Sequence, residues 1–261
     1  KSQRRGGRGV TAHKPKEEDF VEDMFVSSTH DRLLFFTNFG KVYRLMGYEI
    51  PEAMKAARGR AVVNLLQLAP GEHPSAIIPL NETNSGVVVE GPDGETVDAG
   101  ENTATETAEG AEIDAAAAEN YGYIVLATKR GIIKKTSVVE FDNIRKTGKI
   151  AINLNEGDEL ISVQVSNGND EILVASHAGK CIRFSETDVR ATGRDTTGVR
   201  AMMIDEDDAV VDMTVVKDGY DVLTLSEHGF GKRSDIEDYR LQSRGGKGIK
   251  AGVFNEKTGN L

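Results

Sequence analysis

The chain has 261 residues, of which 38% are hydrophobic, and its 42 acidic and 32 basic residues give a formal net charge of −10 at pH 7. This length suits one large repeat domain or two ordinary domains, and the single cysteine excludes a disulfide framework and fits a reducing cytoplasm. No apolar run approaches the roughly 20 residues that a membrane-spanning helix needs, so no membrane partner is predicted. Because the chain begins at Lys1 rather than at a methionine, we expect it to be a fragment of a longer protein.

The first distinctive segment is QRRGGRG at 3–9, which returns as QSRGGKG at 242–248 with five of seven positions identical. Glycine lets a backbone approach a phosphate closely, and an arginine fork can hold two phosphate oxygens at once. We call the first copy the box and predict that it grips a nucleic-acid backbone without reading bases. Its residues are Gln3, Arg4, Arg5, Gly6, Gly7, Arg8 and Gly9.

Four segments further along the chain each predict a β-hairpin. Each has a mostly apolar run, a Thr or Ser three residues before a glycine, and a cation four residues after that glycine. The turn glycines are Gly40, Gly131, Gly179 and Gly229, and the hydroxyl residues are Thr37, Thr128, Ser176 and Ser226. The glycines are 91, 48 and 50 residues apart, so the period is about 50 once the 38-residue acidic segment described below is subtracted from the first spacing.

Two further pieces recur in every unit. A polar turn precedes one strand, and a loop with glycine and a cation, as in TGKIAINL from Thr147, precedes another. The box and its second copy occupy this loop slot. A period near 50 with about four short strands is typical of propeller blades. The sequence therefore predicts an all-β, propeller-like disc of four-stranded blades, with about four to five blades present.

Residues 82–119 interrupt the repeat with 11 acidic residues and no Lys or Arg. Without them, 31 acidic residues (42 minus 11) face 32 basic residues, a net charge of +1. The segment has few large apolar side chains with which to offset its ordering entropy, so we predict a flexible acidic insertion.

Cations recur once per unit at strand edges and in the loops, and we predict that they form a positive rim that binds duplex DNA. The alternative is that edge cations only prevent sheet-to-sheet aggregation. Few aromatic residues and no Trp are available for stacking on single strands. The predicted DNA-binding residues besides the box are Lys41, Arg44, Arg58, Arg60, Lys134, Lys135, Lys149, Lys180, Arg183, Arg200, Lys232, Arg233, Arg244 and Lys247.

Catalytic and metal chemistry find little support in the sequence. The five histidines are scattered and form no ligand pair at helical spacing. Cys181 lies in a predicted strand, where an inert core thiol is the better interpretation. The acidic run 205–208 does not have the spacing of an EF-hand loop and fits a solvated turn. We predict no catalytic residue and no metal ligand.

The box and the segments EDFVEDMFVSSTHDRLLFFTNFGKVYRL, ARGRAVVNLL, GIIKKT, GKCIRF and TTGVR resemble the C-terminal domain of the DNA gyrase A subunit over almost the whole chain. The resemblance implies a β-pinwheel, a disc whose neighbouring blades exchange strands, over residues 1–261. It implies that the disc bends and wraps duplex DNA so that the enzyme can introduce negative supercoils, with the box as the clamp.

The same resemblance implies partners and cofactors in a larger assembly. The partners are the rest of the gyrase A polypeptide and the gyrase B polypeptide, which form an A2B2 heterotetramer in the bacterial cytoplasm. That enzyme uses ATP and Mg²⁺, with no cofactor in this domain. Two alternatives stay open: the similar domain of the topoisomerase IV A subunit, which usually lacks an intact box, and a propeller that serves as a protein-interaction scaffold.

Overall fold

The computed structural model describes residues 24–54, 57, 59–80 and 122–261. Within these ranges the regular structure consists of fourteen β-strands and a few short 3-10 helices, which confirms the all-β prediction. None of the helices in these ranges is long and apolar enough to cross a membrane. The box, Arg58 and the predicted acidic insertion lie outside the described residues.

The strands form three four-stranded antiparallel sheets and one two-stranded hairpin. In chain order they are β1 (Arg32–Thr37), β2 (Lys41–Met46), β3 (Pro74–Leu80), β4 (Tyr123–Thr128), β5 (Ile132–Ser137), β6 (Lys149–Ile150), β7 (Leu160–Ser166), β8 (Glu171–Ser176), β9 (Lys180–Ser185), β10 (Val199–Arg200), β11 (Val210–Val216), β12 (Val222–Leu225), β13 (Gly231–Ser234) and β14 (Ile249–Lys250). The sheet orders are β3-β1-β2-β6, β10-β5-β4-β7 and β11-β8-β9-β14, and β12 pairs with β13.

One edge strand of each four-stranded sheet comes from the neighbouring blade. Strand β6 pairs with β2 in the first sheet, yet in sequence it lies between β5 and β7 of the second sheet. Strands β10 and β14 repeat this relationship one and two blades later. We call β6, β10 and β14 the exchanged strands. This exchange is the β-pinwheel arrangement, and the fold prediction is confirmed.

The predicted hairpin glycines lie at the turns, and each has a left-handed φ between 71° and 80°. Gly131 shows why the residue is required. Its carbonyl accepts hydrogen bonds from the amides of Ala201 (2.8 Å) and Met202 (3.3 Å), which follow an exchanged strand. A Cβ on Gly131 would lie 2.6 Å from the Met202 carbonyl oxygen. The glycine therefore serves both the turn and the close approach of the neighbouring blade's chain.

In the first three hairpins, the hydroxyl residue before the glycine donates to a buried or half-buried carboxylate from the turn before the blade's next strand. The three pairs are Thr37–Glu72 (2.8 Å), Thr128–Asp158 (2.7 Å) and Ser176–Asp208 (2.7 Å). Burial alone would raise the pKa of Glu72, but hydrogen bonds from the Ala69 amide, Thr37 and Tyr43 hold it below its usual value. In the fourth hairpin, the buried Ser226 Oγ has no such partner within the described residues.

The core lies between successive sheets. Ile124 and Leu126 of β4 pack in the cluster shared with the first blade, whereas Val125 and Ala127 pack in the cluster shared with the third. Because neighbouring side chains of a strand point to opposite faces, the second sheet is buried on both sides. Its β4 strand is accordingly a continuous apolar run rather than an alternating one.

Candidate nucleic-acid interface

Three exposed loops lead into the exchanged strands. Each follows a short 3-10 helix: Val138–Phe141, Glu186–Asp188 or Ile236–Asp238. We call the segments 142–148, 189–198 and 239–248 the exchange loops. Each ends in a glycine with a left-handed φ, of 76°, 96° or 72°, directly before the exchanged strand. The repeat therefore presents equivalent loops, one per blade, as the sequence predicted for the slot of the box.

Each exchange loop, taken together with its exchanged strand, is positively charged. The stretches 142–150, 189–200 and 239–250 have net charges of +2, +2 and +4. By contrast, the polar turns at 155–159 and 205–208 have net charges of −3 and −4. Charge is thus segregated in the first two of these units, with cations before the exchanged strand and carboxylates after it.

The exchange loops carry cations that the sequence analysis identified and others that it missed. Of the predicted residues in these stretches, Arg200 and Lys247 are exposed, and Lys149 and Arg244 are half-buried. Six further cations lie in the same stretches: Arg145, Lys146, Arg190, Arg194, Arg240 and Lys250. All are exposed except Arg194, which is half-buried. Their common signal is a position within eight residues before the loop glycine or two residues after it.

The chain just beyond each of the first two exchanged strands is hydrogen-bonded through its backbone to the next exchange loop. The amide of Asn153, beyond β6, donates to the carbonyl of Thr196 in the next loop at 3.0 Å. One blade later, the amide of Met203 donates to the carbonyl of Gly246 at 2.8 Å. The positively charged loops therefore form a continuous series along the described blades.

Three of the predicted DNA-binding cations are buried. Lys134, Lys135 and Arg183 are 1%, 6% and 9% exposed. The Lys134 ammonium donates to the carbonyls of Ala151 (2.7 Å) and Arg194. Burial lowers its pKa to about 8. Its contacts join β5 of the second blade to the chain beyond the first blade's exchanged strand and to an exchange loop.

Lys135 and Arg183 occupy the same slot, four residues after a turn glycine, and both contact the next blade's 3-10 helix. Lys135 Nζ lies 3.4 Å from the buried Glu186 carboxylate and 4.9 Å from the centre of the Tyr123 ring. Arg183 donates to the carbonyls of Ile236 (3.0 Å) and Tyr239 (3.2 Å). These side chains join neighbouring blades, and we give them no part in the DNA-contacting surface proposed below.

Arg44, in the same slot of the first blade, is half-buried and donates to the Asp142 carbonyl at 3.0 Å. The remaining predicted cations have varied surroundings. Lys41 lies 3.5 Å from Glu72, and Lys180 forms an ion pair with Asp205. Arg60, Lys232 and Arg233 are exposed.

The potential metal ligands and the cysteine among the described residues form neither a metal site nor a reactive thiol centre. Among the described residues, no group of three or more His, Cys, Asp or Glu side chains is placed to hold a metal ion. Burial raises the pKa of the Cys181 thiol to about 11, which keeps it protonated and unreactive near neutral pH. His177 lies 3.1 Å from Glu227, in a contact between the turns of the third and fourth hairpins.

Two solved structures have the same fold as this chain. The C-terminal domain of DNA topoisomerase IV superposes with a TM-score of 0.68 at 20% identity, covering 89% of this chain and 62% of that one. The DNA gyrase A C-terminal domain superposes with a TM-score of 0.63 at 25% identity, covering 89% of this chain and 64% of that one.

Comparison by sequence gives stronger similarity. The DNA gyrase A subunit of Clostridium acetobutylicum is 44% identical over 199 residues, covering 76% of this chain. The DNA gyrase A subunit of Escherichia coli K12 is 40% identical over 201 residues, covering 77%. The matched region is 20% and 19% of these relatives, so the chain spans about a fifth of their length.

A family model described as "DNA gyrase C-terminal domain, beta-propeller" matches five successive segments, 1–28, 31–73, 122–167, 170–217 and 220–260. The last three segments each hold one predicted hairpin and start about 50 residues apart. The gap between the second and third contains the predicted acidic insertion. The matches cover well over half of the sequence, and the chain belongs to the DNA gyrase C-terminal domain family.

Proposed function

We propose that this chain binds duplex DNA along its exchange loops and wraps it as part of a bacterial DNA gyrase. The observation that supports the proposal is the segregation of charge. Three consecutive, hydrogen-bonded loop regions together have a net charge of +8 in a chain whose total is −10. A duplex presents phosphates at regular intervals, so a row of exposed cations suits it without any base contact.

The proposal is tested by measuring binding to a plain duplex over a series of salt concentrations. Each phosphate neutralised contributes about 0.9 to the slope of log K against log salt. Five to seven contacts would therefore give a slope of about −4.5 to −6.3. Binding that ignores salt, or no binding at low salt, would contradict the proposal and favour a protein-interaction scaffold.

In the complete enzyme, we propose that the wrapped duplex presents a second segment for strand passage and so permits negative supercoiling. The other partners would be the rest of the gyrase A polypeptide and the gyrase B polypeptide, in the A2B2 enzyme of the bacterial cytoplasm. Cleavage and the use of ATP and Mg²⁺ would belong to those other parts. The chain itself would act by binding and bending.

The box would act as the clamp at the end of the wrap. Bending 20–30 base pairs by 40–90° costs about 1–6 kcal/mol, so an end contact is needed to hold the bent form. Replacing Arg4, Arg5 and Arg8 with alanine should lower the magnitude of the salt slope by up to about 2.7 and abolish most of the bending. Energy transfer between labelled duplex ends reports the bend.

In the complete enzyme, the same triple variant should lose negative supercoiling and keep ATP-dependent relaxation. Lys257→Ala is the matched control, because Lys257 is exposed in a turn outside the exchange loops. A triple variant that still bends DNA and supercoils normally would leave the box as a turn between blades.

The topoisomerase IV A subunit is the second candidate, supported by the TM-score of 0.68. Both enzymes would bind DNA through this disc, so binding does not separate them. The intact box and the 40–44% identity to gyrase subunits favour gyrase. The deciding measurement is whether the complete enzyme introduces negative supercoils into relaxed circular DNA or only removes them.

A further inference from the structure

Two arginines in equivalent positions of successive exchange loops make the same contact. Arg194 Nη1 donates to the carbonyl of Ile150 at 3.2 Å. Arg244 Nη1 donates to the carbonyl of Arg200 at 3.1 Å. Each acceptor is the last residue of an exchanged strand, β6 or β10, in the preceding blade. The contact is therefore a repeated feature of the fold and not an accident of one loop.

The Nε groups of the two side chains both face the 3-10 helix of the preceding unit. Arg244 Nε donates to the Asp188 carbonyl, at the end of that helix, at 2.9 Å. Arg194 Nε makes no hydrogen bond there but lies 3.8 Å from the Glu140 carboxylate, in an ion pair with the corresponding helix. Each guanidinium thus spans two elements of the preceding blade. A planar fork can do this, whereas a lysine ammonium acts as a single point.

These contacts add to a short group of hydrogen bonds between the same segments. Asn153 donates to the Thr196 and Asp195 carbonyls, and one blade later Met203 donates to the Gly246 carbonyl and Gly245 to the Ala201 carbonyl. The arginine contacts with the preceding 3-10 helices lie outside these short groups, so they restrain rotation about them. The two guanidinium groups are also half-buried and already hydrogen-bonded, unlike the exposed Lys247 and Lys250 on the same stretch.

We propose that Arg194 and Arg244 are positioning residues that fix the angle between successive exchange loops, and through it the bend imposed on the bound duplex. The inference rests on the proposed DNA wrapping. On this account the two arginines shape the rim, and the exposed cations beside them contact the phosphates.

The experiment compares two double variants of the full chain that remove the same charge. Arg194→Gln with Arg244→Gln removes the positioning pair, and Lys247→Gln with Lys250→Gln removes two exposed cations. For the lysine variant, the salt slope should fall in magnitude by about 1.8, and DNA bound at saturating protein should stay bent. For the arginine variant, the slope should stay within about 0.5 of wild type, while end-to-end energy transfer at saturation should fall by at least half.

A slope that falls by about 0.9 for each arginine, with the bend intact, would show direct phosphate contacts and overturn the inference. Wild-type behaviour in both measurements would overturn it as well. The double variant Arg194→Lys with Arg244→Lys keeps both positive charges and so controls for misfolding caused by their loss. Because lysine makes a contact at a single point, this variant should recover no more than part of the bend that the glutamine variant loses.

A measurement without DNA separates this inference from the proposed function. Spin labels at positions 146 and 247 report the distance between two exchange loops in the free protein. The distance distribution should broaden in the arginine variant and stay narrow in the single variant Lys250→Gln. Failure of the wild-type chain to bind DNA would refute the proposed function, whereas an unchanged distribution would refute the positioning role.

Discussion

Lys134 is a charged side chain in an almost fully buried place, with its ammonium held by two backbone carbonyls. Burial disfavours the charged form, and it lowers the pKa from 10.5 to about 8. The neutral amine still has two N–H groups, so both hydrogen bonds persist when the proton is lost. Burying the ammonium form therefore lowers the free energy of unfolding at neutral pH, and burying the neutral amine does not.

This arrangement predicts an unusual rise in stability above pH 8. Between about 8 and 10.5 the unfolded chain binds more protons than the folded chain at this site, so the free energy of unfolding increases with pH. From pH 8 to 9.5 Lys134 should contribute an increase of about 1–2 kcal/mol. The buried Cys181 thiol should offset part of it, because its pKa is raised from 9.0 to about 11 and the unfolded thiol loses its proton first. Urea titrations over this range would measure it. The urea titrations should stay below pH 10. Burial and Glu72 raise the Tyr43 pKa from 10.0 to about 12, so above pH 10 the unfolded tyrosine loses its proton first and the free energy of unfolding falls.

Lys134→Met tests the assignment, because it keeps the stem and removes the titrating group. The rise should disappear in this variant and persist in Lys146→Met, whose side chain is largely exposed. A wild-type stability that is flat from pH 8 to 9.5 would contradict the account.

At the scale of the element, each of the three four-stranded sheets includes an exchanged strand of two residues. So short a strand has little stability of its own, and its position relies on the turn glycine against which the following residues pack. Gly131 and Gly229 offer a matched comparison, since they occupy the same slot with φ of 80° and 79°. A Cβ at Gly131 would meet the Met202 carbonyl at 2.6 Å, whereas one at Gly229 would meet no described atom within 4 Å.

Gly229→Ala should cost about 1–2 kcal/mol of stability, the cost of a left-handed alanine. Gly131→Ala should cost that amount plus the displacement of the chain after β10, and we expect a total of about 3–4 kcal/mol. Thermal and urea unfolding would measure both. Hydrogen exchange of the Ala201 amide should speed up only in the Gly131 variant. Equal destabilisation of the two variants would mean that the exchanged strand adds nothing at this turn.

The sequence predicted the hairpins because their signals are local: an apolar run, a hydroxyl, a glycine and a cation within a dozen residues. The residues alone did not reveal which strands are exchanged, because Lys149–Ile150 is too short to show a period and its partner is about 108 residues earlier. The exchange was implied only by the family resemblance.

The sequence also did not show which cations point to solvent and which point into the neighbouring blade. Arg44, Lys135 and Arg183 look like a rim in the sequence, yet they reach backbone carbonyls or a buried carboxylate of the next blade. Every residue has a backbone carbonyl, so a sequence does not show which carbonyl accepts a hydrogen bond from a cation. The exchange-loop cations could have been found by aligning the loop glycines and counting charges on both sides of each one.

For the whole molecule, we expect the balance of charge between segments to govern DNA binding. We expect the segment 82–119, with its 11 carboxylates, to compete with DNA phosphates for the exposed cations. Deleting it should tighten DNA binding several-fold at low salt and much less at high salt, because screening shortens the reach of such charges to about 8–10 Å at physiological ionic strength. Affinity measured with and without the segment at two salt concentrations tests this.

A deletion that changes affinity at neither salt concentration would make the segment an inert spacer. Replacing its acidic residues with glutamine and asparagine at constant length is the control. That variant should behave like the deletion if charge is the cause, and like wild type if length is the cause.

The exchanged strands also have a mechanical consequence. A bent duplex pushes back on whatever holds it, and a disc of blades joined only by packed side chains could yield between two blades. Here, separating the first blade from the second would require shearing β6 out of the first sheet, together with the bonds from Ala151 and Ile152 to the Gly40 carbonyl. The same holds at β10 and β14. If DNA wraps this disc as proposed, tension applied at one exchange loop would pass through covalent chain into two sheets at once, and the described blades would resist the duplex as one elastic body.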